Sequence, residues 1–108
     1  MPFAVLLTRH AAHDLDGLYD YLALHDTAGK AEHVLARLEK AFSSLSDSPQ
    51  RGAYPRELLA MGIREFRELF FKPYRIIYKV TGRNVYVLLI ADGRRDFQTL
   101  LQRRLLEG

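Results

Sequence analysis

Two adjacent arginines, Arg94 and Arg95, are the residues of this sequence best placed to do chemistry. They follow Asp92-Gly93 and immediately precede a helix-like run, where the helix dipole disfavours positive charge. A cationic pair held there attracts an anion, and the planar guanidinium fork suits carboxylate or phosphate. A local network with Asp92 and Asp96 is the equal alternative. The two readings are compatible, because a partner's carboxylate can displace an internal one. The charge distribution points the same way. Residues 1–50 carry 4 basic and 7 acidic side chains, and residues 51–108 carry 12 and 6. Ten of the twelve arginines lie after residue 50. Such a half suits nucleic acid or an acidic protein segment, or simply a soluble basic surface.

Other chemistries find less support. His10 and His13 stand at i, i+3, a spacing that can chelate a metal, but no third ligand is evident, and Asp14 and Asp16 read as first-turn partners of a helix dipole. No metal site and no cofactor are therefore expected. Ser43, Ser44, Ser46 and Ser48 cluster before Pro49 as turn residues, with no G-x-S-x-G around them. There is no Gly-rich phosphate loop. With no cysteine there is no disulfide framework, thiolate nucleophile or Cys-based metal site.

The elements that must position these residues fit within a single domain of 108 residues. A hydrophobic share of 48% and a charged share of 27% are globular values that exclude disorder and collagen-like structure. The longest charge-free apolar run, Val85 to Ala91, is too short to span a bilayer. No secretory pattern opens the chain, so a cytoplasmic location is expected.

Phe3 to Leu7 reads as a strand, and Thr8 as the N-cap of a helix over 9–25 with Ala11, Leu15, Leu18 and Leu22 on one face. Asp26-Thr27 begins a second helix, striped by Ala31, Leu35, Leu38, Phe42 and Leu45 and ended by Ser46-Asp47-Ser48-Pro49. Together they make an αα-hairpin. Gln50 to Gly62 reads as a connection. Ile63 to Phe70, Tyr74 to Thr81 and Val85 to Ala91 read as strands, with Gly82-Arg83 closing a hairpin and the last strand central because both its faces are apolar. On Ile63 to Phe70, Arg and Glu fall on both faces, which predicts an edge strand or one lining a cleft. Tyr74, Ile76, Tyr78 and Val80 share a face opposite Arg75 and Lys79, which argues against a stacking platform for nucleic acid. Asp96 to Leu106 reads as a closing helix with Leu100, Leu101 and Leu105 inward. Arg103 and Arg104, near its C-terminus, read as structural. The expected fold is α+β: an αα-hairpin packed on a small, mostly antiparallel sheet in the order β-α-α-β-β-β-α.

That order and several strings resemble the RelE/ParE toxins of bacterial toxin–antitoxin systems across nearly the whole chain. Tyr74-Arg75-Ile76-Ile77-Tyr78 is similar to their third strand, Gly93-Arg94-Arg95-Asp96 to the turn after the fourth, and Thr8, Ala11, Asp14-Leu15 and Tyr21 to the first helix. The resemblance implies one toxin domain over residues 1–108 and two possible activities. RelE-like members are ribosome-dependent messenger ribonucleases, which place lysines on the second strand, arginines on the third strand and after the fourth, and a tyrosine near the C-terminus. At the lysine positions this sequence has Phe66 and Glu68, and at the tyrosine position Leu101, while Arg75 and Arg95 remain. A register shift brings in Arg64 or Arg67 but no lysine pair. Phosphate-ester cleavage needs cations for the developing charge and a group to handle a proton, so this set is poor nuclease machinery.

The resemblance therefore favours the ParE branch, implying a non-enzymatic protein that inhibits DNA gyrase by binding it. It implies a ParD-like antitoxin partner, a ribbon-helix-helix dimer whose C-terminal segment wraps the toxin as a helix in a groove or a strand on the sheet edge. DNA would be met only through that antitoxin, and no membrane partner is expected. The expected partner-binding cleft comprises Arg64, Phe66, Glu68, Arg75 and Arg95, with Arg94 and Arg95 as the anion-attracting turn.

Overall fold

The computed structural model describes residues 2–107. Strand β1 (Ala4–Leu7) leads into helices α1 (Arg9–His25) and α2 (Ala28–Ser43), the latter ending in a short 3-10 turn, Ser44–Ser46. Thr8 Oγ1 accepts the Ala11 N–H at 3.1 Å and Thr27 Oγ1 the Lys30 N–H at 3.0 Å, so both predicted caps start their helices. A four-residue helix, α3 (Arg56–Leu59), follows, then strands β2 (Phe66–Phe71), β3 (Tyr74–Thr81) and β4 (Asn84–Asp92) and helix α4 (Phe97–Glu107).

The four strands lie in the order β1-β4-β3-β2, antiparallel except that β1 runs parallel to β4. Alternation along β3 divides the core between the two faces of the sheet. Tyr74, Ile76 and Tyr78 pack with Leu15, Leu38 and Phe42 of the helical hairpin. Ile77 packs on the other face with Leu58 of α3, Phe66 of β2, and Phe97 and Leu101 of α4. The hairpin thus supplies one layer and α3 with α4 the other. The register between β3 and β4 slips at Ile77/Tyr78, a bulge that places Leu88 opposite no residue of β3.

Two expectations change. The connection over 50–62 contains α3, whose end is a Schellman-type closure: Ile63 N–H reaches Leu58 C=O at 3.0 Å and Gly62 N–H reaches Leu59 C=O at 2.9 Å. Gly62 there adopts φ 75°, a conformation glycine supplies without strain. Ile63 therefore finishes a helix, and the strand expected from it begins only at Phe66. Asp14 is also not a first-turn residue, since α1 begins at Arg9 and its first turn holds no acid. Its carboxylate instead receives Arg104 of α4 (Nη1–Oδ2 2.7 Å, Nη2–Oδ1 2.9 Å) and the backbone N–H of Ile90 at 3.0 Å, while Arg104 Nη1 also donates to Leu88 C=O at 2.7 Å. This clamp satisfies the outer edge of β4 where β1 has already ended, and gives Arg104 the structural role expected of it.

Candidate partner-binding site

Arg75 sits on β3 between Phe70 of β2 and Ala91 of β4, with its side chain on the α3/α4 face. Its Nε donates to Glu68 Oε1 at 2.8 Å, and its Nη1 and Nη2 make a bidentate pair with Glu57 of α3, each at 2.8 Å. The guanidinium carbon lies 3.9 Å from the ring centre of Phe97. Arg75 and Glu68 are each only 6% exposed. One buried cation is thus shared between two carboxylates, and the exposed Arg56, 3.9 Å from Glu57, is a second and weaker counter-charge. The bidentate hydrogen bonds from Arg75 hold the Glu57 carboxyl below the usual range. Burial outweighs the Arg75 contact at Glu68 and pushes that carboxyl up. The Glu57 hydrogen bonds raise Arg75 further.

The turn after β4 rests on this cluster. Gly93 N–H bonds to Pro73 C=O at 2.8 Å, and a Cβ at Gly93 would lie 2.7 Å from Arg75 Cδ, so only glycine fits without displacement. Arg94 folds back on Asp92 (Nη2–Oδ2 2.6 Å, Nε–Oδ1 3.0 Å), which lowers the Asp92 pKa. Asp96 turns the other way and caps α4, receiving the Thr99 N–H at 3.2 Å and its hydroxyl at 2.8 Å. Of the local network considered from sequence, Arg94 with Asp92 forms and Arg95 with Asp96 does not. The Arg95 guanidinium is exposed and makes no hydrogen bond or ion pair among the described residues.

Arg95 overlooks a groove of about 640 Å³ between α1 and the end of β4, lined by His13, Leu18, Tyr21, Tyr74 and Ile90 among others. Tyr21 is 60% and Leu24 79% exposed on the neighbouring helix surface. A second hollow of about 430 Å³ lies over Arg75, rimmed by Tyr54, Arg56, Phe70 and Lys72. Arg94 borders both. Glu68 and Arg75 are therefore brought together, Phe66 lies further along the same face of β2, and Arg95 lines the other groove. Arg64 lies exposed in the loop before β2, on no strand. Phe66 is packed in the α3/α4 layer with Lys79 Nζ 5.7 Å from its ring centre, and Leu101 is 1% exposed in the same layer.

Sequence reasoning missed Glu57. Pro55 and the acid two residues later are an N-terminal helix signal, but nothing local connects Glu57 to an arginine 18 positions away. His10 Nδ1 stands 3.9 Å from Glu107. Among the described residues no group of three His, Asp or Glu side chains is placed to hold a metal ion, and no helix is long and apolar enough to cross a membrane.

This arrangement of hairpin, sheet and closing helix is the fold of the RelE/ParE toxin superfamily. It superposes on the chromosomal ParDE toxin–antitoxin system of P. aeruginosa with a TM-score of 0.70 at 23% identity, covering 83% of this chain and 95% of that one. It superposes on the RelBE2 toxin–antitoxin complex of Mycobacterium tuberculosis with a TM-score of 0.61 at 25% identity, covering 85% and 92%. Toxin ParE3 of Caulobacter vibrioides is 31% identical over 100 residues, spanning 93% of this chain and 96% of that protein. The family described as ParE toxin of type II toxin–antitoxin system, parDE, matches residues 5–97. The chain belongs to that family.

Proposed function

We propose that this protein is a toxin that inhibits DNA gyrase by binding it, without enzymatic activity of its own, and that a ParD-like antitoxin neutralises it. The observation that carries the non-enzymatic reading is the closure of Arg75 on Glu57 and Glu68. Cleavage of a phosphate ester needs cationic donors aimed at the developing oxyanion and a group to take the proton. Here the central guanidinium already faces two carboxylates, the neighbouring carboxyl repels phosphate, and Phe66 and Leu101 are packed in an apolar layer. The family membership and the ParDE and RelBE likenesses support an antitoxin partner.

The antitoxin contact we assign to the groove beside α1. Arg95 offers a guanidinium for a carboxylate, and Tyr21 with Leu18 offers apolar surface for an adjoining side chain. Arg75, held by Glu68, supports the turn from beneath, while Phe66, paired with Lys79 further along the sheet, and Arg64 stand outside this contact.

A gyrase assay on antitoxin-free protein tests the reading. Loss of supercoiling with accumulation of the covalent gyrase–DNA complex is the expected result. Inert behaviour toward gyrase from folded protein that arrests growth in cells would overturn it, and messenger cleavage in a translating extract would replace it with the ribonuclease reading.

A further inference from the structure

The hollow over Arg75 has no part in the contact assigned to the Arg95 groove. It encloses about 430 Å³, and its floor offers no free cation, because Arg75 is already engaged by Glu57 and Glu68. The rim differs from the floor. Phe70 of β2 lines it, is 56% exposed and packs in neither apolar layer of the core. Lys72, in the turn after β2, is exposed and makes no hydrogen bond or ion pair among the described residues. The Arg56 side chain is 90% exposed, with a single 3.9 Å contact to Glu57. An open aromatic ring beside cations that the fold leaves largely unneutralised is the composition of an interface hot spot.

We propose that this hollow is the surface that engages the toxin's target, and that it takes a protein segment with an apolar side chain against Phe70 and a carboxylate at Lys72. The inference rests on the toxin reading above. The occupant follows from where the charges lie. Glu68 lines the floor with Glu57 behind it, so the centre of the occupant must be uncharged. The unpaired cation stands at the rim, so the acid belongs at the occupant's edge. Nucleic acid fits poorly. A phosphodiester chain carries a charge at every nucleotide, which brings phosphate over Glu68, and one open ring gives successive bases no continuing stack. Arg94 lines both this hollow and the Arg95 groove. Partners at the two places therefore meet across one side chain, which gives an antitoxin in the groove a means of excluding the target.

The test separates the two surfaces in the full chain. Phe70→Ser and Lys72→Glu change exposed side chains outside the core and should leave the urea unfolding midpoint in place. Phe70→Ser should weaken binding to purified gyrase by about thirtyfold and Lys72→Glu by about tenfold, with supercoiling inhibition lost in step. Lys72→Gln should lose less than Lys72→Glu, the mark of a carboxylate opposite. The antitoxin off-rate should change by less than about twofold in all three, and Arg95→Glu should show the reverse pattern. Parent-like gyrase binding by Phe70→Ser and Lys72→Glu would overturn the proposal, as would an equal loss of antitoxin binding. Unchanged binding to DNA-free gyrase, with only the trapped DNA complex lost, would overturn it too and place DNA in the hollow. Growth arrest on induction keeps the proposal apart from the gyrase reading. If the parent arrests growth without touching gyrase, that reading fails. The hollow is then upheld only if Phe70→Ser and Lys72→Glu, still bound by the antitoxin, no longer arrest growth. A parent that arrests no growth overturns both.

Discussion

Replacing Arg75 by methionine isolates the electrostatic part of the buried cluster. Methionine keeps an unbranched stem against Gly93 and between Phe70 and Phe97 while removing the guanidinium. Two carboxylates then face each other with only the exposed Arg56, 3.9 Å from Glu57, as counter-charge. Glu68 is 6% exposed and reaches water only through the hollow over Arg75, whereas Glu57, 12% exposed on α3, can swing toward water. Removing one partner of a buried ion pair costs about 3–5 kcal/mol. With Glu57 free to relax, the low end applies, about 3 kcal/mol, which is a large share of the roughly 5–15 kcal/mol that stabilises a domain. It lowers the melting temperature by about 12–24 °C.

The pH dependence gives a sharper test. In the parent protein the Glu57 pKa is lowered, so its contribution is present above the unfolded value of about 4.3 and is lost as pH falls through the folded one. The raised Glu68 works oppositely: its charged form opposes folding above its folded pKa, and that opposition fades as pH falls. In Arg75→Met both carboxyls move up, so the stability deficit is largest at about pH 7–8 and shrinks toward about pH 5. Urea unfolding at constant m-value across this range measures it. A deficit below about 1 kcal/mol at neutral pH, or one that does not narrow on acidification, would refute the account of a shared, desolvated guanidinium. Adding Glu57→Gln and Glu68→Gln to the methionine variant should restore most of the loss, since neutral neighbours need no counter-ion.

Three further outcomes follow from the same contacts. Asp14→Asn leaves Arg104 with Glu107 (Nε–Oε1 3.5 Å) as its remaining counter-charge and weakens the cap on the Ile90 N–H, costing about 1–3 kcal/mol by urea unfolding. Fast amide exchange should appear first at Ile90. Gly93→Ala forces a methyl against the Arg75 stem and should cost about 1–3 kcal/mol, and an unchanged denaturation midpoint would show that the turn has room to move. Arg95→Glu, at an exposed guanidinium with no internal partner, should leave the unfolding midpoint where it is and instead speed dissociation from the antitoxin, measured as an off-rate on the purified complex.

Much of this architecture was legible because it is written in local periodicity. The caps at Thr8 and Thr27, the two apolar stripes and the β-branched runs of β3 and β4 each express a preference that neighbouring residues reinforce, and those elements stand where the pattern places them. The β-strand start at Ile63 misled because an apolar residue after Gly62 serves equally as the hydrophobic closure of a helix. That alternative appears only once α3 is recognised. The aspartates of α1 misled for a related reason. Charge near a helix start suggests the dipole, while the actual counter-charge on Asp14 comes from 90 positions away.

By itself the sequence determined the α+β class, the order of elements and the resemblance to the RelE/ParE toxins. Only the tertiary structure decided what the charged residues do. Arg75 and Arg95 look alike in sequence, both arginines near strand ends in a basic half. One is closed on Glu57 and Glu68, and the other is open to solvent above an apolar groove. The physical reason is range. Helix and strand preferences arise from contacts within a few residues, whereas the state of a charge depends on which opposite charges and how much water the fold brings within a few ångströms of it.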